Sequence, residues 1–217
     1  MRRTRAYFYS TIAIAIIFAP GTSVFGQSNQ LQKSWEWSYQ VSDNATLELN
    51  NYDCDLHIHT WDQGTIQYKM TVDATLKSEE DVTILNGNLE KLDFSNSAGR
   101  VEIDNRFWDN RKTSGNRSTM ELKGGDKVSY STVKMKGELW IPVGCMLELV
   151  SKYSVIELED LQSGASMELY NDKLYAHKIG GPLSIKDKYS TLEFTELKNI
   201  AADLYSTVID AARAGNI

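Results

Sequence analysis

The sequence has little cysteine and lacks the short motifs of several common enzyme classes. Its 217 residues include two cysteines, Cys54 and Cys145. It contains no Gly-x-x-x-x-Gly-Lys phosphate loop, no Gly-x-Ser-x-Gly nucleophile turn and no Cys-x-x-Cys pair. These absences give no support to a nucleotide-binding protein or a hydrolase that carries those signatures.

A long apolar run occurs once, near the start of the chain. Residues 6–19 carry no charge and follow the basic residues Arg2, Arg3 and Arg5, which is the pattern of a secretory signal. We predict that residues 1–26 are such a signal and that the protein is exported to the periplasm or the cell surface. No later apolar stretch approaches the roughly 20 residues needed to cross a bilayer. No cysteine lies at the predicted cleavage point after the apolar run, so a lipid anchor is not expected.

The predicted mature chain is acidic. The whole sequence has a net charge of −6, from 23 basic and 29 acidic residues. Removing the three arginines of the signal leaves 20 basic residues against 29, a net charge of −9. Such a chain repels nucleic acid and anionic lipid. A composition of 41% hydrophobic and 24% charged residues is that of a folded protein rather than a disordered tail.

The two cysteines allow two interpretations in an oxidising compartment. A disulfide would close a loop of about 90 residues and stabilise the protein by roughly 4 kcal/mol. Cys54, however, alternates with polar residues in step with Leu56 and Ile58, so it falls on an inward strand face. There a free thiol behaves as a small hydrophobe, and this second interpretation is favoured.

Alternating apolar and polar residues predict short β-strands in the first part of the mature chain. The period of two is that of a half-buried strand. The apolar positions are Trp35, Trp37, Tyr39 and Val41, then Leu47 and Leu49, then Cys54, Leu56 and Ile58, and then Ile66, Tyr68, Met70 and Val72. Turns rich in Asn and Gly separate the runs, and together these features predict an all-β protein.

One segment has a helical period. Between residues 78 and 92, the apolar residues Val82, Leu85, Leu89 and Leu92 are three or four positions apart. Ser78 and the three acids after it suit a helix N-terminus. We predict a short helix that covers an edge or an open end of the β-structure.

The second half of the chain differs in organisation from the first. Residues 105–127 are polar and contain Gly and Asn, so they are predicted to form a long mobile loop. We expect a β-rich part at 27–127, with the helix and this loop, and a repetitive part at 128–217. The two parts are predicted to form one continuous domain over 30–217.

Four related segments in the second half predict a stacked repeat. They are residues 152–158, 173–179, 188–194 and 204–210, with Tyr153, Leu174, Tyr189 and Tyr205 at the second position. A spacing of 15–21 residues suits one coil of a parallel β-helix, which buries its apolar face only against neighbouring coils. Positions 156, 158, 192 and 194 are predicted to point inward, and Gly164, Gly180, Gly181 and Asn199 to mark corners. The last coil has no polar cap, so we expect either that the natural chain continues beyond Ile217 or that the open end stacks on another copy or a partner, which predicts self-association.

The sequence resembles the adhesin-like β-helical domains of unknown function in exported bacterial proteins, of the autotransporter-adhesin head-domain type. The segments that carry the resemblance are 47–52 with its following strand and Thr60-Trp61-Asp62, the acidic helix, Phe94-Ser95-Asn96-Ser97 and the later Lys-Tyr-Ser repeats. The resemblance covers nearly the whole mature chain. It implies a right-handed parallel β-helix, an envelope or surface location and no enzymatic activity, and it supplies no catalytic residues.

A pair of histidines is the sharpest candidate for chemistry. Alternation places Asp53, Asp55, His57 and His59 on one face of one strand. Same-face neighbours are about 6.6–7 Å apart along a strand, so both imidazoles can approach one Zn²⁺ or Cu²⁺ ion. His57, His59 and Asp55 are therefore predicted metal ligands, while a solvated strand face is the simpler alternative. A third ligand from elsewhere would favour the metal site.

Several other polar and aromatic residues are candidates. The matched Tyr153, Tyr189 and Tyr205 are predicted to form a stacked ladder. Tyr52, Tyr153, Tyr189 and Tyr205 are candidates for a flat aromatic surface that binds a sugar or a protein, and the alternative is that these rings only pack on each other or at a corner. His177 is predicted to point inward in a structural role. Parallel β-helices also host polysaccharide-cleaving enzymes, but the carboxylates at 157, 159, 160, 193 and 196 are also what a solvated strand face carries.

These observations predict a non-catalytic, adhesin-like binding or scaffold domain of the bacterial cell envelope, without a cofactor. Its partner is expected to be an envelope protein or a glycan. The two alternatives are a polysaccharide-acting enzyme and a metal-binding envelope protein that uses His57 and His59.

Overall fold

A computed structural model describes residues 29–42, 44–92, 94–97, 99–115, 117–197 and 199–213. Within these residues the fold is all-β with one helix, as the sequence predicts. The strands are β1 (Gln30–Gln40), β2 (Thr46–Tyr52), β3 (Cys54–Trp61), β4 (Thr65–Leu76), β5 (Ser95–Ser97), β6 (Arg100–Asp104), β7 (Trp108–Ser114), β8 (Arg117–Leu122), β9 (Lys127–Pro142), β10 (Met146–Lys152), β11 (Val155–Leu158), β12 (Ala165–Tyr170), β13 (Lys173–Ile179), β14 (Leu183–Lys188), β15 (Thr191–Leu197), β16 (Ile200–Tyr205) and β17 (Val208–Ala211). The helix α1 spans Glu79–Leu89.

The predicted signal, residues 1–26, lies outside the described residues. Within the described ranges, α1 is too short and too polar to span a membrane.

The strands form two sheets of mixed orientation. The ten-stranded sheet has the order β1-β4-β9-β3-β11-β13-β15-β17, and the hairpin of β7 and β8 joins it at β9. The seven-stranded sheet has the order β16-β14-β12-β10-β2-β6-β5. Pairs that involve β1, β4, β5, β7 or β8 are antiparallel, and the others are parallel.

Five strand–corner–strand units connect the two sheets. In each unit a strand of the smaller sheet is followed by a residue with positive φ, and the next strand then lies in the larger sheet. The corner residues are Asp53 (φ 51°), Tyr153 (φ 61°), Asn171 (φ 54°), Tyr189 (φ 67°) and Ser206 (φ 54°). The units stack in parallel register, which aligns Tyr52, Lys152, Tyr170, Lys188 and Tyr205 across the smaller sheet.

The strand–corner–strand units have different boundaries from the four predicted segments. Corners recur every 18 residues at Tyr153, Asn171 and Tyr189. Asn171, not Leu174, therefore corresponds to Tyr153, and the predicted second segment was displaced by three residues. Tyr205 precedes its corner by one residue. The predicted segments were aligned on Lys and Tyr, but solvent-facing Lys and Tyr occur on both sides of the corners. The corner itself is defined by its left-handed backbone conformation.

The predicted inward positions are buried in the core between the sheets. Ile156, Leu158, Leu192 and Phe194 are each at most 4% exposed. The predicted corner glycines and Asn199 lie between strands, as expected. Both sheets contribute to one continuous hydrophobic cluster, so the stacked units share their buried surface with their neighbours.

Buried polar side chains hold the corners together. Asn51 Nδ2 donates to the Cys54 carbonyl at 2.9 Å and to Ser154 Oγ at 3.0 Å. The carboxylate of Asp172 accepts from the backbone N–H of Ser154 at 2.7 Å and of Tyr170 at 3.0 Å. Because buried polar groups cost free energy unless they are hydrogen-bonded, this network fixes the conformation of successive corners.

The predicted helix is confirmed, although it is shorter than expected. Ser78 is its N-cap, and Ser78 Oγ accepts from the backbone N–H of Asp81 at 3.1 Å. The helix ends at Leu89 rather than at Leu92. Leu85 and Leu89 are buried, and α1 contacts β9, β1 and β4 at the β1 end of the larger sheet. This position agrees with the predicted covering role.

The prediction of a mobile loop at 105–127 is wrong. Much of this segment is an antiparallel hairpin of β7 and β8 that joins the larger sheet. Phe107, Trp108, Met120 and Leu122 are buried and anchor the hairpin. The polar residues that suggested a loop lie mainly on the exposed part of the hairpin. The polar composition of the segment therefore gave no sign of the four buried apolar residues that anchor it.

Cys54 and Cys145 are free and buried, as the favoured interpretation expected. Burial raises the pKa of the Cys54 thiol to about 12 and that of the Cys145 thiol to about 11. Both thiols are therefore protonated at neutral pH, and both fill space in the core.

Candidate functional site

The outer face of β3 carries the two histidines. Cys54, Leu56 and Ile58 point into the core, so the alternation of the strand directs His57 and His59 outward. The side chain of His57 is 36% exposed and that of His59 is 22% exposed. The sequence predicted this division between the two faces correctly.

The two imidazoles lie much closer together than the strand rise requires. Their ring centroids are 3.8 Å apart, with an angle of 33° between the planes. The indole of Trp140, from β9, stacks on His59 with the ring centroids 5.0 Å apart. This indole limits the conformations of the His59 ring.

Three glutamates surround the imidazoles, and they come from different parts of the chain. Glu138 lies opposite His57 in the register of β9 and β3, and Glu157 lies opposite it on β11. Glu159 follows β11, and its backbone N–H donates to the carbonyl of Ile58 in β3. We call these five residues, His57, His59, Glu138, Glu157 and Glu159, the histidine–glutamate cluster.

The cluster places a carboxylate near every imidazole nitrogen. For His59, Nδ1 is 3.0 Å from Glu159 Oε1 and Nε2 is 2.8 Å from Glu138 Oε2. For His57, Nε2 is 3.8 Å from Glu159 Oε1, and Nδ1 is 3.8 Å from Glu157 Oε2 and 4.0 Å from Glu138 Oε2. Glu159 Oε1 thus lies between the two rings on one side, and Glu138 Oε2 on the other.

The hydrogen bonds alter the charges of the cluster. Partial burial disfavours a charged His59, but its hydrogen bonds to Glu138 and Glu159 outweigh that effect and raise its pKa. Burial likewise acts to raise the pKa of Glu159, but the backbone N–H of Thr60 and the His59 ring overcome it and lower that pKa. Glu159 is therefore a carboxylate at neutral pH, and it carries the charge that a cation would need.

One group of potential metal ligands occurs in the described residues, and it lies in this cluster. One ligand atom from each of His57, His59 and Glu159 can be chosen so that all three lie within 4.8 Å of one another. The predicted third ligand, Asp55, is not in this group, because its carboxylate accepts from the backbone N–H of Val155 at 3.1 Å. Glu138 and Glu159 could be found only from the strand register, since they lie 79 and 100 residues from His59.

Asp53 also lies outside the cluster. It occupies the corner before β3, with a φ of 51°, and therefore does not share the strand face of the histidines. Its carboxylate forms an ion pair with Arg111 at 2.8 Å.

An acidic groove of about 530 Å³ extends from the cluster along the larger sheet. Glu157, Glu159, Glu193 and Asp210 line it, together with Tyr175. Among the described residues that form its wall there is no Lys or Arg. The groove therefore has the charge to attract cations and to repel anionic polymers.

The prediction that His177 points inward is wrong. Its side chain is 62% exposed, lines the acidic groove and hydrogen-bonds the carboxylate of Asp160. The three-residue displacement in the predicted repeat explains this error. In the observed register Ala176 fills the buried position, and His177 lies on the outer face of β13.

A second candidate surface is a row of tyrosines along the corners. Tyr153 contacts Tyr170 at 5.5 Å between ring centroids, Tyr170 contacts Tyr189 at 5.7 Å, and Tyr189 contacts Tyr205 at 5.4 Å. All three contacts are edge-to-face, with interplanar angles of 77–89°. We call these four residues the tyrosine ladder. Tyr153, Tyr189 and Tyr205 are 54%, 49% and 60% exposed.

The ladder differs from the predicted tyrosine surface in two members. Tyr170, which the displaced alignment missed, lies between Tyr153 and Tyr189. Tyr52 contacts cations instead, with the Arg106 guanidinium 4.8 Å and the Lys152 ammonium 5.7 Å from its ring centroid. The ladder alternates between corner residues and residues just before a corner, so one fixed repeat position cannot identify it.

No protein-family model and no curated protein sequence matches the chain. The crystal structure of a putative cell adhesion protein from Clostridium sporogenes is similar at a TM-score of 0.40 and 10% sequence identity, over 84% of this chain and 100% of that chain. This similarity is too low to establish a shared function, so the resemblance to adhesin-like domains stays a proposal.

Proposed function

We propose that the protein is an exported, non-catalytic binding module of the adhesin-like kind, and that its tyrosine ladder binds an extended carbohydrate of the cell envelope. The observation that carries this proposal is the continuous edge-to-face contact of four tyrosines, from Tyr153 to Tyr205, across four stacked units. A protein of the envelope is the alternative partner.

The chemistry of the ladder suits a carbohydrate. A tyrosine ring offers an apolar surface to the C–H groups of a sugar, and its hydroxyl can exchange hydrogen bonds with the sugar hydroxyls. The parallel register of the strands sets the spacing of the rings. Because each ring already contacts a neighbour, little side-chain entropy remains to be lost on binding. A row of rings also suits a linear polymer better than a compact ligand.

In this proposal the five units form a two-sheet solenoid of the β-helical kind, right-handed as in the family that the sequence resembles. The parallel stacking of β2, β10, β12, β14 and β16, and of β3, β11, β13, β15 and β17, supports it. Export rests on the predicted signal at residues 1–26. A rigid stack of this kind would present its ligands from the periplasm or from the cell surface.

A polysaccharide-acting enzyme stays the alternative, and two observations weigh against it. The acidic groove would repel the anionic polysaccharides on which lyases act. Its carboxylate Glu159 has a lowered pKa, whereas a general acid for glycoside hydrolysis needs a raised one. The groove therefore suits cations better than it suits sugar cleavage.

A glycan array incubated with the purified protein tests the proposal. We expect retention of particular linear oligosaccharides, with no shortened products when the retained sugars are analysed by mass spectrometry. Release of hydrolysed or unsaturated oligosaccharides would favour the enzyme instead. If no glycan is retained, the carbohydrate proposal is wrong and an envelope protein becomes the partner to seek.

Self-association stays a prediction. β16 and β17 are the last strands of their sheets, and Val208 is 61% exposed on β17. We expect the mass measured by light scattering to rise with protein concentration. A monomeric mass throughout a broad dilution series would contradict this prediction.

A further inference from the structure

We infer that His57, His59 and Glu159 form a binding site for a divalent transition-metal ion, with Zn²⁺ and Cu²⁺ as the ions that suit its donors. The site is independent of the tyrosine ladder. Its ligand atoms would be His57 Nε2, His59 Nδ1 and Glu159 Oε1. Glu138 and Glu157 would lie near the second ring nitrogens of the two histidines.

The spacing of the ligand atoms supports this inference. Atoms bound about 2.1 Å from a tetrahedral Zn²⁺ ion lie about 3.4 Å from one another. Glu159 Oε1 is 3.0 Å from His59 Nδ1 and 3.8 Å from His57 Nε2. These two distances bracket the required one, and all three ligand atoms lie within 4.8 Å of one another, so small rotations of surface side chains would bring both nitrogens to a common ion.

The second nitrogen of His59 has the partner that a metal ligand needs, and that of His57 faces two carboxylates that lie beyond hydrogen-bond distance. Histidine ligands usually donate their other ring N–H to a carboxylate, which fixes the orientation of the ring and strengthens the metal bond. His59 Nε2 is 2.8 Å from Glu138 Oε2. His57 Nδ1 faces Glu157 Oε2 at 3.8 Å and Glu138 Oε2 at 4.0 Å.

The backbone orients the third ligand. The N–H of Thr60 donates to Glu159 Oε2 at 3.1 Å, and this bond directs Oε1 of the same carboxylate toward the two rings. The donor set distinguishes the site from a patch of surface acids. Two imidazoles and one carboxylate suit Zn²⁺ and Cu²⁺, whereas Mg²⁺ and Ca²⁺ prefer oxygen ligands alone.

Three protein ligands leave one position of a tetrahedral ion for another donor. His57 and Glu159 also line the acidic groove, so this position would be accessible from the groove. A water molecule, or a donor group of a bound partner, would complete the coordination. The negative charge of the groove would also help to hold a cation.

Calorimetric titration of the purified protein with ZnCl₂ tests the inference. We expect one Zn²⁺ per chain, and at least about a 100-fold loss of affinity in a His57→Ala, His59→Ala variant or in Glu159→Gln. Glu138→Gln is expected to weaken binding by about 10- to 100-fold, because it removes the partner of His59. MgCl₂ is expected to give no binding.

Two matched controls separate this site from general surface binding. His177→Ala removes the other exposed histidine of the groove, and Asp55→Asn removes the carboxylate that the sequence suggested. Both are expected to bind Zn²⁺ as the unaltered protein does. The inference is wrong if the unaltered protein binds no Zn²⁺, if the double variant binds it equally well, or if His177→Ala abolishes binding.

A spectroscopic measurement on the unaltered protein avoids any dependence on how the variants fold. The electron paramagnetic resonance spectrum of the Cu²⁺-loaded protein is expected to show hyperfine coupling to two equivalent or nearly equivalent nitrogens. A spectrum with oxygen ligands alone would overturn the inference.

Discussion

Nε2 of His59 lies 2.8 Å from Oε2 of Glu138, although 79 residues separate the two in the chain. Glu159 Oε1 lies 3.0 Å from the other ring nitrogen, and the His57 ring lies beside the His59 ring at an angle of 33°. Because both carboxylates accept hydrogen bonds, both ring nitrogens of His59 are best satisfied as donors, which favours the charged imidazolium.

We therefore predict that His59 titrates above its usual pKa of 6.5, because the two carboxylates outweigh its partial burial. The resulting stabilisation is fully present below the unfolded pKa, and it is lost as the pH rises through the higher folded pKa. NMR titration of the ring protons in the metal-free protein measures this directly. Glu138→Gln is expected to lower the pKa of His59, and an unchanged value would contradict the assignment.

Asp172 is expected to make the folded protein less stable as the pH rises. A carboxylate in an ordinary ion pair has the opposite effect. Burial raises its pKa from 3.8 to about 6, so the folded state binds more protons than the unfolded state between these values. Its contribution to stability therefore falls as the pH rises from about 4 through about 6.

A comparison with Asp172→Asn isolates this effect. At about 1.4 kcal/mol per pKa unit, the unfolding free energy of the unaltered protein minus that of the variant should fall by about 3 kcal/mol over this range. Urea denaturation at several pH values measures the difference. A difference that rises with pH would contradict the prediction.

Gly181 and Gly87 should respond oppositely to substitution by alanine. A Cβ at Gly181 would lie 2.5 Å from the backbone nitrogen of Gly164 and 2.6 Å from the carbonyl carbon of Ser163. Gly181→Ala must therefore displace backbone between two stacked units, and it is expected to lower the melting temperature. Among the described residues, and apart from its chain neighbours and the backbone of its own helix, no atom lies within 4 Å of a Cβ added at Gly87, inside α1.

Gly87→Ala is accordingly expected to stabilise the protein by about 0.5–1 kcal/mol, because alanine favours the helix. Thermal denaturation followed by circular dichroism compares the two variants. Equal melting temperatures for the two would contradict the close approach at Gly181.

The thiols of Cys54 and Cys145 should be unreactive in the native protein. Both are buried, and burial raises their pKa to about 12 and about 11 respectively. Since the thiolate is the reactive form, a thiol-specific chromogenic reagent should label neither residue until denaturant is added. It should then label two thiols per chain. Rapid labelling under native conditions would contradict the described burial.

Local patterns in the sequence predict some elements well. The alternation around Cys54, Leu56 and Ile58 identifies a buried face, and Ser78 with its following acids identifies the start of α1. These features depend on residues that are close in sequence, so strand and helix periodicity contain the needed information.

Features that depend on register could not be derived in the same way. Glu138 and Glu159 approach His59 only because β9 and β11 pair with β3. The corner with positive φ lies at Asn171, three residues before the position that the predicted repeat gave it. For this reason His177 lies on the surface and not in the core. Sequence similarity among solvent-facing Lys and Tyr does not determine where such a corner lies.

The most direct test of the proposed function is calorimetric titration with the linear oligosaccharide that the protein retains most strongly on a glycan array. The comparison is between the unaltered protein, a Tyr153→Ala, Tyr189→Ala variant and Tyr175→Ala. Tyr175 is the matched control, because it is 40% exposed but lies in the acidic groove outside the tyrosine ladder. We predict at least about a tenfold loss of affinity, or about 1.4 kcal/mol, in the ladder variant and none in the control. Unchanged affinity in the ladder variant would contradict a binding role for the tyrosine ladder.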